Sequence, residues 1–461
     1  MKIVRLIRGR FIQIAATLAA SMTFTMAGLG VAWTAPIIPK LLAADSPIPM
    51  TADESSWMVA MLSVGCVIWV IPLAYFTNVL GRKTILLFTA VPCIIAWLTI
   101  IFTVSVEALY VARFLFGVEV ITAFVITPIY LTEISEVKIR GVLSSVIQLS
   151  YNIGALFEYC MGPYVSYKIL GISSAVFPIA FFLFMVWMPE SPYFLLMKSR
   201  DGDAERSLMA LRGKTESQHI QEELTAMRNV VDSLKMRGIP IRDLFSKRAN
   251  RRALILILSL VMLQQFCGQL AIVSYTTQIM KRSGSSLDAD VSVIISGGIQ
   301  TIASVAMSSL VDRVGRKPLL LSSTIGVGVA TLGLAVYFCL DERTDIDLSP
   351  VDWIPITCLV LYVSLFSLAL GVLPFIVMGE IFLPNVKGLA ASVALMVHAI
   401  GGTIVTKIFQ IMTDDIGADS PFWLFSAYCF TSALFIVWYL PETKGKTFAE
   451  IHQEFNKNSY P

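Results

Sequence analysis

Several side chains able to exchange hydrogen bonds with an uncharged partner stand inside otherwise apolar stretches of this 461-residue chain. Gln148 and Asn152 lie one helical turn apart, Gln264 and Gln265 are adjacent, and Gln300, Phe366, Phe375 and His398 follow at intervals. A carboxamide carries both donors and an acceptor, and an aromatic ring is a flat apolar wall. Such groups can exchange hydrogen bonds with, and stack against, a bound molecule. The same amides have a plainer use, because a glutamine in a membrane helix also serves to hydrogen-bond a neighbouring helix. Bond-making chemistry is not indicated. His219, His398 and His452 are scattered and join no nucleophile or metal-ligand set, so neither an enzyme nor a cofactor or metal site is expected. The seven cysteines fall inside or at the edge of apolar runs, which is not a disulfide framework. Nothing points to a nucleic-acid partner.

What must position these groups is a set of membrane helices. Apolar residues make up 56% of the chain and charged ones 15%, too little charge for a soluble protein of this size. About twelve runs are long enough to span a bilayer, at about 11–37, 57–79, 84–105, 108–131, 142–165, 172–189, 252–280, 289–310, 318–340, 353–381, 389–412 and 420–440. The N-terminal MKIVRLIRGR resembles the start of a signal peptide, but its apolar run continues to about Pro39, beyond the roughly 7–15 residues of a signal core, and is read as a retained first helix. Lys2, Arg5, Arg8, Arg10, Arg82, Lys83, Arg313, Arg316 and Lys317 crowd one set of loops. Asp53, Glu54, Asp341, Glu342, Asp345, Asp347, Asp414 and Asp415 crowd the other. By the positive-inside rule both termini are expected in the cytoplasm.

The runs form two sets of six around a polar segment. The division expected is 1–189 for the first half, 190–251 for a linker, 252–440 for the second half and 441–461 for a cytoplasmic tail. In the linker, DAERSLMALRG and ESQHIQEELTAMRNVVDSL place apolar residues at helical spacing, which predicts short amphipathic helices at the membrane face. Short motifs repeat between the halves. TNVLGRKTILLF follows the second run and DRVGRKPLLL the eighth, with Gly81 and Gly315 at the same place in a tight reversal. Glu133, Arg140 and Gly141 follow the fourth run as Glu380, Lys387 and Gly388 follow the tenth. Repeated charges at the ends of helices suit clusters that clamp helices in one conformation and release them in another.

These residues resemble the sugar porter family of the major facilitator superfamily over nearly the whole chain. The resemblance rests on RFLFG with Arg113 and Gly117, YLTEI with the following Arg140–Gly141, PESP at 189–192, QQFCG at 264–268, DRVGRK, GEIF at 379–382 and PETKGKT at 441–447. GVAWTAPIIPKL, PESPYFLLMK and TIVTKIFQIM resemble the insect-type trehalose and hexose transporters of that family. The fold implied is an all-α membrane protein with twelve transmembrane helices in two pseudo-symmetric six-helix halves, with short cytoplasmic helices between them.

The resemblance also implies an activity: facilitative passage of a hexose or trehalose by alternating access, by a monomer in the plasma membrane. It assigns sugar contact to Gln148, Gln264, Gln265, Gln300, Phe366 and Phe375, and by position in the family pattern to Asn152 and His398. It assigns conformational charge clusters to Arg82, Arg113, Glu133, Arg140, Asp312, Arg313, Arg316, Glu380 and Lys387. Departures matter. Asn78 and Val79 stand where the family has an acid and a base, which implies a weaker first-half cluster. Leu270 replaces an asparagine, and Phe375 replaces a tryptophan and so lacks an indole N–H. The first run, AGLGVAWTAP, has no acid opposite Arg113, which favours uniport. Glu119 and Glu158 leave a proton-coupled symporter as the alternative; otherwise Glu119 is expected to pair locally or stay neutral and Glu158 to reach the outer water. A non-transporting sugar sensor is a further alternative.

Overall fold

The computed structural model describes residues 2–46, 48–136, 140–213, 220–237, 245, 248–382 and 384–442. Among them the secondary structure is helical, without a strand. The first apolar run forms α1 (Lys2–Ala32) and α2 (Thr34–Leu41). The break precedes Pro36, whose ring would meet the Ala32 carbonyl in an unbroken helix. Four uninterrupted helices follow: α3 (Ala52–Leu80), α4 (Arg82–Phe102), α5 (Val106–Ile134) and α6 (Arg140–Met161). The first half closes with α7 (Tyr167–Val186). Starts are signalled locally. Thr51 and Glu54 form a reciprocal capping box on α3, and Ser105 and Ser166 cap α5 and α7.

The linker holds α8 (Pro192–Met197), α9 (Asp201–Arg212) and α10 (Gln221–Arg237). The last two are the amphipathic helices anticipated from their spacing; α8 was not anticipated. Together they bury a small core of their own around Phe194, Leu208, Leu224 and Met227. Arg212 ties it to the first half, donating 3.0 Å to the Ile134 carbonyl and 2.7 Å to Glu223.

The second half repeats the first with different breaks. Its seventh run is α11 (Arg248–Phe266) and α12 (Gln269–Arg282), parted at Gly268, where φ is +91°. Next come α13 (Ala289–Val314) and α14 (Arg316–Arg343). The tenth run is α15 (Ile354–Leu365), a π-helical turn over Phe366–Leu370, and α16 (Leu373–Ile381). The chain then forms α17 (Pro384–Asp415) and α18 (Ser420–Tyr439). Eleven helical segments among the described residues are long and apolar enough to cross a membrane, and α6, 22 residues long, is a further long helix.

The repeat reaches the backbone itself. Gly81 and Gly315 have φ/ψ of +100°/163° and +106°/165°, a region essentially reserved for glycine. Within the first half α5 packs on α3 and α4, and α1 packs on α6; the halves meet where α3 faces α17, α6 faces α13 and α2 faces α12. Helix pairs in a bilayer gain from close backbone approach. At the α3–α5 crossing a side chain on Gly65 would lie 2.2 Å from the Phe114 carbonyl oxygen, and one on Gly117 would lie 2.0 Å from that of Leu62. Gly65→Leu should therefore force α3 and α5 apart and cost about 3 kcal/mol or more. Gly202→Ala on α9 meets nothing within 4 Å and should be neutral or stabilising by about 0.5–1 kcal/mol. Thermal unfolding of both variants in detergent checks this; a Gly65→Leu protein as stable as the parent would refute the contact.

Candidate functional site

A cavity of about 130 Å³ lies between the two halves. The first half supplies Ser63 and Cys66 from α3, Phe124 from α5, and Gln148 and Tyr151 from α6. The second supplies Gln264, Gln265, Gln269, Gln300, Phe366, Phe375 and His398. Among the described residues, five glutamines and no charged side chain line it. The helix breaks create this surface. Gln264 and Gln265 end α11 just before the Gly268 kink, and Phe366 opens the π-helical turn. That turn leaves carbonyls without helical partners, and the Gln264 amide nitrogen takes two of them, donating 3.0 Å to Leu370 and 2.7 Å to Gly371. Its orientation is thereby settled. The Gln265 amide lies 2.7 Å from the His398 ring Nε2, and Phe375 meets His398 edge-on at 5.9 Å between centroids. The side-chain oxygens of Gln264 and Gln265 are buried with no partner among the described residues, acceptors left unsatisfied beside the cavity.

Seven of the eight residues expected at a ligand site thus share one cavity. Asn152 does not line it. Its amide nitrogen donates 2.8 Å to Ser304 on α13, and its oxygen accepts from Gln148 at 3.4 Å. It stitches the halves together from behind Gln148. Gln269 and Tyr151 were not anticipated. Gln269 could have been, since it sits one turn beyond Gln265.

One ion pair of each expected charge cluster is seen, both at one end of the bundle. Arg82 donates to Glu133 through Nε at 3.2 Å and Nη2 at 2.9 Å, and Arg316 reaches Glu380 likewise at 3.1 and 2.8 Å. A second pair of acids completes each turn. Glu190 accepts the backbone N–H groups of Arg82 (3.2 Å) and Lys83 (3.0 Å), and Glu442 accepts those of Arg316 and Lys317, both at 3.0 Å. Neither was singled out from sequence, although Pro-Glu recurs at 189–190 and 441–442. The first cluster is reinforced by Ser191, which donates to Glu133, and by the Phe194 ring, 5.2 Å from the Arg82 guanidinium. The missing acid at position 78 has not left it bare. The side chains of Asn78, Arg140, Asp312, Arg313 and Lys387, and the whole of 443–461, lie outside the described residues.

Arg113 belongs to neither cluster. It lies about 30 Å along α5 from Glu133 at 1.5 Å per residue, near the opposite, acidic end. There its guanidinium donates to the carbonyls of Gly30 and Met58. Glu158 is fully buried and accepts 2.6 Å from Ser174, so it does not reach outer water. Glu119 is fully buried and neither oxygen has a partner among the described residues, so it does not pair locally. At the acidic end Lys407 of α17 crosses to α3. It donates 2.6 Å to Asp53 and 2.8 Å to Ser56, and sits 4.5 Å above the Trp57 ring.

Residues 14–455 match the model of the family described as "Sugar (and other) transporter". The facilitated trehalose transporter of Bombyx mori is 32% identical over 448 residues, covering 97% of this chain and 87% of that protein. That of Drosophila mojavensis is 33% identical over 444 residues; the chain spans about half the length of this and several other Drosophila relatives (51% here). Among solved structures, the proton:xylose symporter XylE bound to 6-bromo-6-deoxy-D-glucose superposes with a TM-score of 0.78 at 22% identity, covering 96% of this chain and 99% of that one. The inward-open xylose transporter XylE from E. coli gives 0.79 at 21%, with the same coverage. The fold is therefore that of the major facilitator superfamily, and the family is one of transporters, not enzymes. A family match across almost the whole length, on a bundle whose halves enclose an amide-lined cavity, places the chain in the sugar transporter family.

Proposed function

We propose that this protein carries a neutral sugar, a hexose or trehalose, down its gradient across the plasma membrane by alternating access, acting as a monomer with both termini in the cytoplasm. The observation that carries this reading is the wall of the cavity: five glutamines, aromatic rings and no charge. Such a wall matches hydroxyl groups and an apolar ring face, and it repels ions by leaving them undersolvated. Gln148 contributes from one half and Gln264, Gln265 and Gln300 from the other, so a bound sugar would draw the halves together. Uniport is supported by the absence of a lining carboxylate among the described residues and by Arg113, whose Nε and Nη1 donate to the carbonyls of Met58 and Gly30 and not to an acid. A second reading, proton coupling, is favoured by Glu119. It is buried without a partner among the described residues and adjoins Val120 and Ile121, which line the cavity. A carboxylate there would be costly unless protonated.

Uptake of a panel of labelled sugars into proteoliposomes, with and without an imposed proton gradient, separates these readings. Under uniport, sugar equilibrates without accumulating, and a proton ionophore leaves the initial rate unchanged. Accumulation that collapses with the ionophore would transfer the argument to Glu119. Gln148→Leu and Gln265→Leu should each weaken sugar binding by about 1–3 kcal/mol, roughly 5- to 150-fold, with normal membrane insertion. Near-normal affinity in both would place the site elsewhere.

The contacts of Lys407 hold the acidic end closed between the halves. Lys407 is 17% exposed but Asp53 is 71% exposed, so the ion pair is worth about 0.5–1 kcal/mol, with a similar gain from Trp57. Lys407→Gln should shift the protein toward the form open at that end about five- to tenfold. In a background free of native cysteines, labelling of a cysteine at Ser63 by an impermeant maleimide added from the acidic side should rise accordingly. Unchanged labelling would show that Lys407 does not hold that end shut.

A further inference from the structure

We propose that the cleft between the first turn of α4 and the linker helices α8 and α9 binds the phosphodiester headgroup of an anionic phospholipid from the surrounding bilayer. The cleft encloses about 550 Å³ and is separate from the cavity between the halves. Its charged lining is Lys83, Arg200 and Arg206 against Glu190 and Asp203, one positive charge in excess. The acids are already engaged. Glu190 is occupied by the backbone N–H groups that open α4. Asp203 lies between the two arginines, accepting 2.7 Å from Arg200 Nε and also from Arg206. The Arg200 hydrogen bond holds the Asp203 carboxyl below the usual carboxylate range, so it stays ionised. Each guanidinium has five N–H donors, and Arg200 and Arg206 are 60% and 76% exposed. Donors therefore remain on both for a phosphate, the anion whose geometry a guanidinium fork fits.

The position of the cleft names the source of that phosphate. Trp187 stands just beyond the end of α7, two residues before Pro189 of the cleft lining, and is 83% exposed. An exposed tryptophan at a helix end marks the level of the headgroups. Lys83 lies at the same level, its Nζ donating 2.7 Å to the Val186 carbonyl. From this level Phe88 and Val91 on α4, and Leu183 and Phe184 on α7, run into the apolar zone as exposed side chains. Such exposed apolar side chains suit contact with acyl chains. A soluble phosphate would have no use for them. A bound headgroup would bridge α9 to α4 beside Glu190 and so brace the turn that carries the Arg82–Glu133 pair.

The test uses the purified full chain in nanodiscs of phosphatidylcholine alone or with phosphatidylglycerol, read by native mass spectrometry for retained lipid and by thermal unfolding. Phosphatidylglycerol should remain bound and raise the unfolding temperature. Arg200→Gln combined with Arg206→Gln should lower its retention about tenfold or more. Arg228→Gln removes an arginine of α10 that pairs with Asp201 and does not line the cleft, and should retain lipid like the parent. Should the double variant fold poorly, Arg206→Gln alone should still lose several-fold retention. Parental retention in the arginine variants would overturn the proposal, as would an equal loss in Arg228→Gln, which would reduce the effect to overall surface charge. Inorganic phosphate giving the parent the same protection as phosphatidylglycerol would overturn the lipid assignment in favour of a soluble anion.

Discussion

Inside a bilayer there is no water to satisfy a free backbone N–H or carbonyl, so every such group must find a partner within the protein. The rest of this structure depends on that constraint. It makes the spans helical, and it permits a break only where the freed groups are taken up. The π-helical turn over Phe366–Leu370 is such a break, and the carbonyls of Leu370 and Gly371 are taken by the amide of Gln264. A glutamine that looks like a ligand contact therefore has a structural duty as well. That duty turns its free oxygen into an oriented acceptor. The Gly268 kink does related work, ending α11 so that Gln264 and Gln265 on one side and Gln269 on the other all reach the cavity.

Close packing of apolar helices needs shape, because lipid is as apolar as leucine. The glycines at the α3–α5 crossing provide it. Their counterparts in function are the glycines of the two basic turns, where a positive φ lets the chain reverse at once between long helices. Each reversal is then fixed by an acid from the end of its own half: Glu190 for the first, Glu442 for the second. The arginine of each turn reaches Glu133 or Glu380. Both halves thus build the same rigid corner from the same parts. Like corners in two halves that meet at a few helix pairs suit the alternating-access reading proposed above.

Much of this architecture can be read directly from the residues. Apolar run length gives the helices, because 1.5 Å per residue against a bilayer of fixed thickness admits few alternatives. The repeated Gly-Arg-Lys turns give the two halves, since their spacing is a one-dimensional signal. The amide residues could be picked out because each is costly in an apolar run and so needs a purpose.

Which purpose each polar residue serves was decided only by the tertiary structure. A helix such as α5 is apolar on most of its circumference and buries side chains all round, so no pattern reveals which side faces the cavity. Gln148 and Asn152 share one helix face, yet one lines the cavity and the other bonds Ser304 across the seam. Arg113 carries a family motif but sits far from the clusters, because position along a helix, not motif membership, sets its neighbours. Lys407 finds Asp53 across more than three hundred residues of chain, and nothing local to either encodes the pair. Sequence determined what lies in the membrane and where the chain turns, because those depend on length, hydropathy and glycine. Helix rotation and pairing depend on contacts between distant segments, and only the folded bundle decides those.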